Sequence, residues 1–304
     1  MGAAAPARVL VSDAQRPNAG EREAAAGDGD ADADAREAEV READALLAVA
    51  VEAATTAGAL LIERVRHGAE SHVSSKSTPT DLVSEADLAS ERAIRELLAR
   101  RRPDDGFLGE EGARAEGSSG LSWVVDPLDG TIDFLFGIPQ WCVSVAVRDG
   151  AGTLAGAVYD PNRDELFTAT RHGHPTLAGP RGTVELSGSA REGELATAMV
   201  ATGFAYDADV RAAQARVLAR VVPRVRDIRR FGSAALDLTW TAAGRYDAYF
   251  ERAVKQWDIA AGALICERAG LAVLELPVHE SLPWGILVTR PALAEAMLEL
   301  VGGD

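Results

Sequence analysis

Lysine is almost missing from this sequence: of 31 basic residues only Lys76 and Lys255 are lysines, and arginine supplies the rest. Cysteine is equally scarce. Cys142 and Cys266 each lie in an apolar segment without a Cys-x-x-Cys partner, so zinc ribbons and redox dithiols lack their ligands and two buried structural thiols are expected. A basic excess is absent too. With 47 Asp and Glu the formal charge is −16, the opposite of what a nucleic-acid-binding surface needs, and no direct nucleic-acid partner is expected. Apolar runs such as that near residues 260–266 are interrupted by Gly, Glu and Arg well short of the roughly 18 residues of a membrane span. The opening MGAAAPARVLVSDAQRPN turns polar at once, unlike a secretion leader. These absences predict a cytoplasmic protein with no membrane partner.

Serine-nucleophile and nucleotide-loop signatures are also wanting. No Gly-x-Ser-x-Gly elbow and no Walker-type Gly-Lys-Ser/Thr loop occurs, and the five histidines do not cluster. His172 and His174 follow a predicted strand and belong to a hairpin rather than a metal site.

What is present begins with organisation. Residues 1–44 are rich in Ala, Asp, Glu and Gly, lack any aromatic side chain, and read as a disordered acidic tail. From Leu46, apolar residues recur at three- and four-residue steps through Val65, which predicts one long amphipathic helix. Ser84 and Asp87 introduce a second helix over 88–100, followed by short strands near 106–108 and 122–125. Residues 141–170 alternate as an antiparallel meander broken by VRDGAG and YDPNRD. The second half predicts a helix over 210–221, a strand near 225–228, a helix from GSAAL, and a strand at YDAYFE. A helix from Trp257-Asp258 to Ala269 and a last helix from Ala292 follow. Helices between groups of largely antiparallel strands define a layered α+β class, a catalytic unit over 45–304 whose two packed halves meet near 190–200.

Four acidic clusters carry the chemistry, and each also has a plain structural reading. Gly109-Glu110-Glu111-Gly112 follows a short apolar run and taken alone is a charged loop. SWVVDPLDGTIDF, residues 122–134, is the strongest signal. A buried strand ends at Val125, and Pro127 suits a tight turn that sets Asp126 and Asp129 to one side with the Leu128 carbonyl between them. Such hard oxygen ligands suit Mg²⁺. Gly130 lets backbone approach a ligand, with the Thr131 hydroxyl beside it. Asp258 opens a helix, so capping alone would account for it. In KSTPTDLVSEAD, Ser84-x-x-Asp87 is a capping-box pattern. Carboxylates about 4 Å apart repel by roughly 4 kcal/mol at an effective dielectric near 20, so their convergence calls for cations.

DPLDGT after an apolar strand, GEE upstream and WD before an AAGA helix downstream resemble the inositol monophosphatase family. KSTPTDLVSEAD, the GIPQWCVSVA segment, RRFGSAALDL, AAGRYDAYFE and WDIAAGALICERAG extend the likeness over roughly residues 46–300. The resemblance implies an αβαβα sandwich of the sugar-phosphatase type, a homodimer, and Mg²⁺-dependent hydrolysis of inositol monophosphate by an activated water. It implies metal ligation by Glu110, Asp126, the Leu128 carbonyl, Asp129 and Asp258. Thr131 and Asp87, helped by Glu110, would orient the attacking water. Gly130 and Thr131 would hold phosphate oxygens through their N–H groups, and Asp129, Ser233, Ala234 and Glu251 would contact the alcohol part. Asp81 and Lys76 would lie on a mobile metal-site loop. Related activities toward fructose 1,6-bisphosphate, histidinol phosphate or 3′-phosphoadenosine 5′-phosphate, or a regulatory binding role, remain alternatives. Asp133, Ala253 and Lys255 depart from the family pattern, the last two on the substrate side.

Overall fold

The computed structural model describes residues 29–67, 73–75 and 82–302. Helix α1 (Gly29–His67) leads to a small antiparallel pair, β1 (Val73–Ser75) with β2 (Leu82–Ser84), and then to α2 (Glu85–Arg101). Strands β3 (Gly106–Gly109), β4 (Arg114–Ala115) and β5 (Ser122–Asp129) follow, and α3 (Thr131–Leu135) is one short turn. The meander comes next as β6 (Cys142–Asp149), β7 (Gly152–Asp160) and β8 (Glu165–Thr170), extended by β9 (Thr176–Gly179) and β10 (Gly182–Glu185). These strands make one sheet in the order β10-β9-β8-β7-β6-β5-β3-β4, antiparallel except where β3 runs parallel to β5.

Between Glu185 and Met199 the chain crosses to a second sheet. It is built from β11 (Met199–Thr202), β12 (Asp227–Arg229), β13 (Ala248–Arg252), β14 (Ala272–Leu276) and β15 (Gly285–Thr289), in the order β12-β11-β13-β15-β14. Its helices are α4 (Ala208–Val221), α5 (Ala234–Ala242), α6 (Gln256–Arg268) and α7 (Ala294–Val301).

The period-two alternation of the strands creates three cores. Trp123, Val125, Val143 and Val145 face α1 and α2, whereas Val124, Cys142 and Ala146 face α5 and α6. In the second sheet Tyr249, Val273 and Ile286 join that central core, while Ala248, Phe250, Leu274 and Leu287 turn outward onto α4 and α7. The order is therefore helices, sheet, helices, sheet, helices, the expected layered α+β sandwich.

Several boundaries differ from the sequence reading. Residues 1–28, part of the expected tail, lie outside the described residues, but residues 29–44 are helical and open α1. Alanine-rich sequence is good helix former, an exposed Arg41–Glu37 pair links adjacent turns, and Glu39 meets His172 3.1 Å away. The membrane argument also needs correction. Among the described residues α1 is long and apolar enough to cross a bilayer. Its apolar side, including Leu46, Ala50, Ala53, Ala57 and Leu61, is instead buried against β6, β7 and α2. The apolar strands of 141–170 are covered on both faces, by α1 and α6. Lys76 and Asp81 fall outside the described residues.

Candidate active site

The site gathers at the C-terminal end of β5, where the strand runs out into Asp126-Pro127-Leu128-Asp129. Ladder pairing with β6 shifts between Asp126 and Asp129, as the proline lacks an N–H to donate. The turn is fixed from inside and from behind. Leu128 N–H donates to Asp126 Oδ1 at 3.0 Å, and the Ser90 hydroxyl of α2 donates to the Pro127 carbonyl at 2.6 Å. Gly130 then takes φ +98°, and a side chain there would meet the Gln140 carbonyl at 2.7 Å, so only glycine fits.

Thr131 begins α3 directly after this glycine. Its buried hydroxyl lies 2.8 Å from Asp87 Oδ1 and 3.1 Å from the Leu128 carbonyl, its single proton shared between them. Asp87 divides its labour. Oδ2 accepts from Ser84 N–H and Ser84 Oγ at 2.8 and 2.6 Å, completing the capping box of α2, and Oδ1 is left for Thr131. Asp258 does something similar. The sequence reading started the helix at Trp257-Asp258 with Asp258 as its cap, but the helix begins at Gln256, and Asp258 Oδ2 accepts from Lys255 N–H at 2.7 Å. Capping and site membership are thus compatible, because a carboxylate has two oxygens.

Four carboxylates converge electrostatically. Burial, then repulsion from Glu110, Asp129 and Asp258, pushes Asp126 well above the usual carboxylate range. Burial followed by Glu110 and Asp129 does the same to Asp258. Asp129 is pushed up to about 6, mainly by burial, and held down in part because Ser233 Oγ and Ala235 N–H both donate to its Oδ2 at 2.7 Å. Glu110 follows β3, its N–H donating to the Val125 carbonyl at 3.1 Å. Among the described residues no three Asp, Glu, His or Cys side chains close on one point as a finished coordination shell. The donor set nonetheless fits a hard divalent cation: it is all oxygen, strongly acidic, and mutually repelling without positive charge.

Ser233 caps α5 and Ala234 is its first residue, which sets both beside Asp129. Glu251, on β13, is raised to about 7 by burial, and the Tyr249 hydroxyl donates to its Oε2 at 2.8 Å. Tyr249, Ser90 and Glu91, whose Oε2 accepts from Glu111 N–H at 2.9 Å, escaped the sequence reading. Strand alternation was the available signal for Tyr249, two residues before Glu251, and helical spacing was the signal for Ser90, three residues after Asp87. Both cysteines are buried and free, as expected. The Cys142-x₅-Arg148 spacing of a thiol phosphatase loop occurs inside extended strand β6, and burial pushes that thiol well up, so it is no nucleophile. Asp133 is raised to about 6 by burial, with the Arg230 charge opposing.

The chain is thus a layered α+β protein with a buried carboxylate cluster at a strand-to-turn junction. The sequence profile of the inositol monophosphatase family matches residues 42–300, and the chain belongs to that family, a family of phosphatases. It is 43% identical over 232 residues to inositol-1-monophosphatase SuhB of Mycobacterium tuberculosis, covering 74% of this chain and 80% of the relative. It is 38% identical to a protein named Nus factor SuhB from Pasteurella multocida, covering 84% and 95%. The solved structure of SuhB from Bartonella henselae superposes with TM-score 0.76 at 34% identity, covering 84% and 98%.

Proposed function

We propose that this protein is a Mg²⁺-dependent phosphatase that hydrolyses inositol monophosphate to myo-inositol and phosphate. The observation that carries the reading is the convergence of Asp126, Asp129, Asp258 and Glu110 on one turn, next to the Thr131–Asp87 hydrogen bond. Asp126, Asp129, Asp258, Glu110 and the Leu128 carbonyl are the proposed Mg²⁺ ligands. When bound, the cations supply Lewis acidity, lowering the pKa of a water and screening the phosphate charge.

The chain's own residues do the rest. The Thr131 hydroxyl hydrogen-bonds as a donor to Asp87 Oδ1 and the Leu128 carbonyl, so its oxygen lone pairs are free to accept from a water and aim it at phosphorus. Glu110 assists in orienting that water. Gly130 and Thr131, at the start of α3, offer backbone N–H groups to the phosphate oxygens. Ser233, Ala234, Asp129 and Glu251 line the alcohol side, where Glu251 accepts from vicinal hydroxyls. The water oxygen bonds to phosphorus as the bond to the inositol oxygen breaks; one proton of that water ends on the departing inositol oxygen and the other stays on the phosphate. The protein is further proposed to be cytoplasmic and homodimeric.

Turnover against a panel of phosphate esters, with and without EDTA, tests this reading. Inositol monophosphate is expected to show the highest kcat/KM and EDTA to abolish it. A preference for fructose 1,6-bisphosphate or another ester would move the substrate. No turnover of any ester with Mg²⁺ present would favour a binding role, in keeping with relatives named Nus factor.

A further inference from the structure

Next to Glu251 lies a buried cation that the site does not use. Arg252 is 3% exposed, and among the described residues no carboxylate forms an ion pair with it. Its guanidinium is held by main-chain carbonyls instead. Nη1 faces the oxygens of Leu276, Pro277 and Pro283 at 3.3, 2.6 and 3.0 Å, and Nη2 those of Val301 and Gly302 at 3.0 and 2.9 Å. Those five carbonyls belong to three pieces of chain: the end of β14, the β14–β15 connection, and the C-terminal end of α7. A helix C-terminus carries unsatisfied carbonyls and partial negative charge, so a cation is well placed there. Burial lowers the guanidinium pKa to about 10, which leaves it charged at neutral pH.

Alternation along β13 separates the two neighbours. Tyr249 belongs to the central core with α5 and α6, and Glu251 shares that face, its Oε2 bonded to the Tyr249 hydroxyl. Ala248 and Phe250 face α4 and α7, and Arg252 follows them outward. Arg252 thus cannot touch a substrate that Glu251 contacts. The strand end is pinned on its other flank as well. Arg252 pairs with Gly285 of β15, where any side chain would collide with the Glu251 carbonyl oxygen. The next residue, Ala253, is forced to φ +70°, a left-handed conformation unfavourable for alanine.

We infer that Arg252 is a positioning residue for substrate recognition: by tying the end of β13 to β14 and α7 through five carbonyls, it holds Glu251 at the alcohol side of the site. The inference rests on the proposed role of Glu251. Removing the tie lets the strand end shift, and a displacement of about 1 Å is enough to weaken recognition severely.

The test compares inositol monophosphate, whose hydroxyls Glu251 would read, with p-nitrophenyl phosphate, which has none. Arg252→Met is expected to raise KM for inositol monophosphate about tenfold, with p-nitrophenyl phosphate kinetics unchanged within about twofold. Arg252→Lys, which keeps the charge but has fewer donors, should restore part of the loss. In the Arg252→Met, Glu251→Gln double variant the substrate ratio should equal that of Glu251→Gln alone. If Arg252→Met unfolds, Arg252→Lys carries the test by itself: an unchanged ratio between the two substrates overturns the inference. Equal damage to both substrates in either folded variant overturns it too, since it marks a merely structural arginine. A Glu251→Gln variant with parental substrate preference would instead sink the proposed placement of Glu251.

Discussion

Two charge sites, one at the end of β5 in the first sheet and one on the outer face of the second sheet, are treated differently by the protein. Arg252 is solvated by five main-chain oxygens and needs no counterion. Asp126, Asp129, Asp258 and Glu110 have a few N–H and hydroxyl donors among them, and mainly one another. A lone cation can be satisfied by carbonyl dipoles already fixed by the fold. Several anions together cannot, because each added carboxylate raises the potential felt by the rest. The first arrangement is complete in the folded chain, and the second is completed only by a cation or by protons. On the proposed reading the satisfied charge positions its neighbour, and the unsatisfied cluster is the one that binds a cation.

The sharpest way to break this contrast is Asp126→Asn. Turnover should fall by about a thousandfold or more, comparable to losing a principal electrostatic stabiliser. Its metal-free form should nonetheless melt at or above the parent, since one repelling charge is gone. A metal-free variant melting well below the parent would show that Asp126 is structurally satisfied like Arg252.

Adding the cation sharpens the comparison further. Saturating Mg²⁺ should stabilise the parent by about 2.7 kcal/mol at one hundred times its dissociation constant, because only the folded chain assembles the ligands. The same titration on Asp126→Asn should show a much smaller gain. Thermal melts across Mg²⁺ concentration measure both, and a parent that gains nothing would remove the metal site.

Protons should act in the same direction, less strongly. The folded-state pKa values of Asp129 at about 6 and Glu251 at about 7 lie above their ordinary values. Between those ordinary values and the raised ones the folded state holds protons that the unfolded chain releases. Metal-free stability should therefore fall as pH rises from about 5 to about 8, and Mg²⁺ should flatten that slope. Arg252 does not titrate in this window. Melting curves that rise with pH in EDTA would contradict the raised values.

The smallest effect is expected beside the arginine. Ala253→Gly relieves left-handed strain at φ +70° at the cost of a more flexible unfolded chain, for a net gain of about 0.5 kcal/mol. Chemical denaturation reads it directly. A loss of more than that would mean the Ala253 methyl packs usefully.

Much of this architecture was legible in one dimension. The periodicity of Leu46–Val65 and the alternation of 141–170 are local signals, and they predict α1 and the β6–β8 meander because burial on one face demands them. Helix ends were less legible. The first turns of α1 contain mostly alanine among acidic residues, so nothing in the pattern marks a buried face, and the contact of Glu39 with His172 is a tertiary event. At Asp87 and Asp258 capping and site membership looked like rival explanations, and only coordinates reveal that capping occupies one oxygen of each carboxylate and leaves the other.

The sequence alone determined the layered class, the family, and the chemical character of the site, since DPLDGT, GEE and WD are short motifs whose residue types dictate oxygen ligation. Tertiary structure alone decided which carboxylates face one another and how Glu251 is held. Glu110, Asp126 and Asp258 come from three separate elements, and Arg252 reaches Val301 across 49 positions of sequence. Electrostatic repulsion and hydrogen bonding depend on distance in space, and a linear pattern carries no information about distances that only the packing of two sheets and their helices creates.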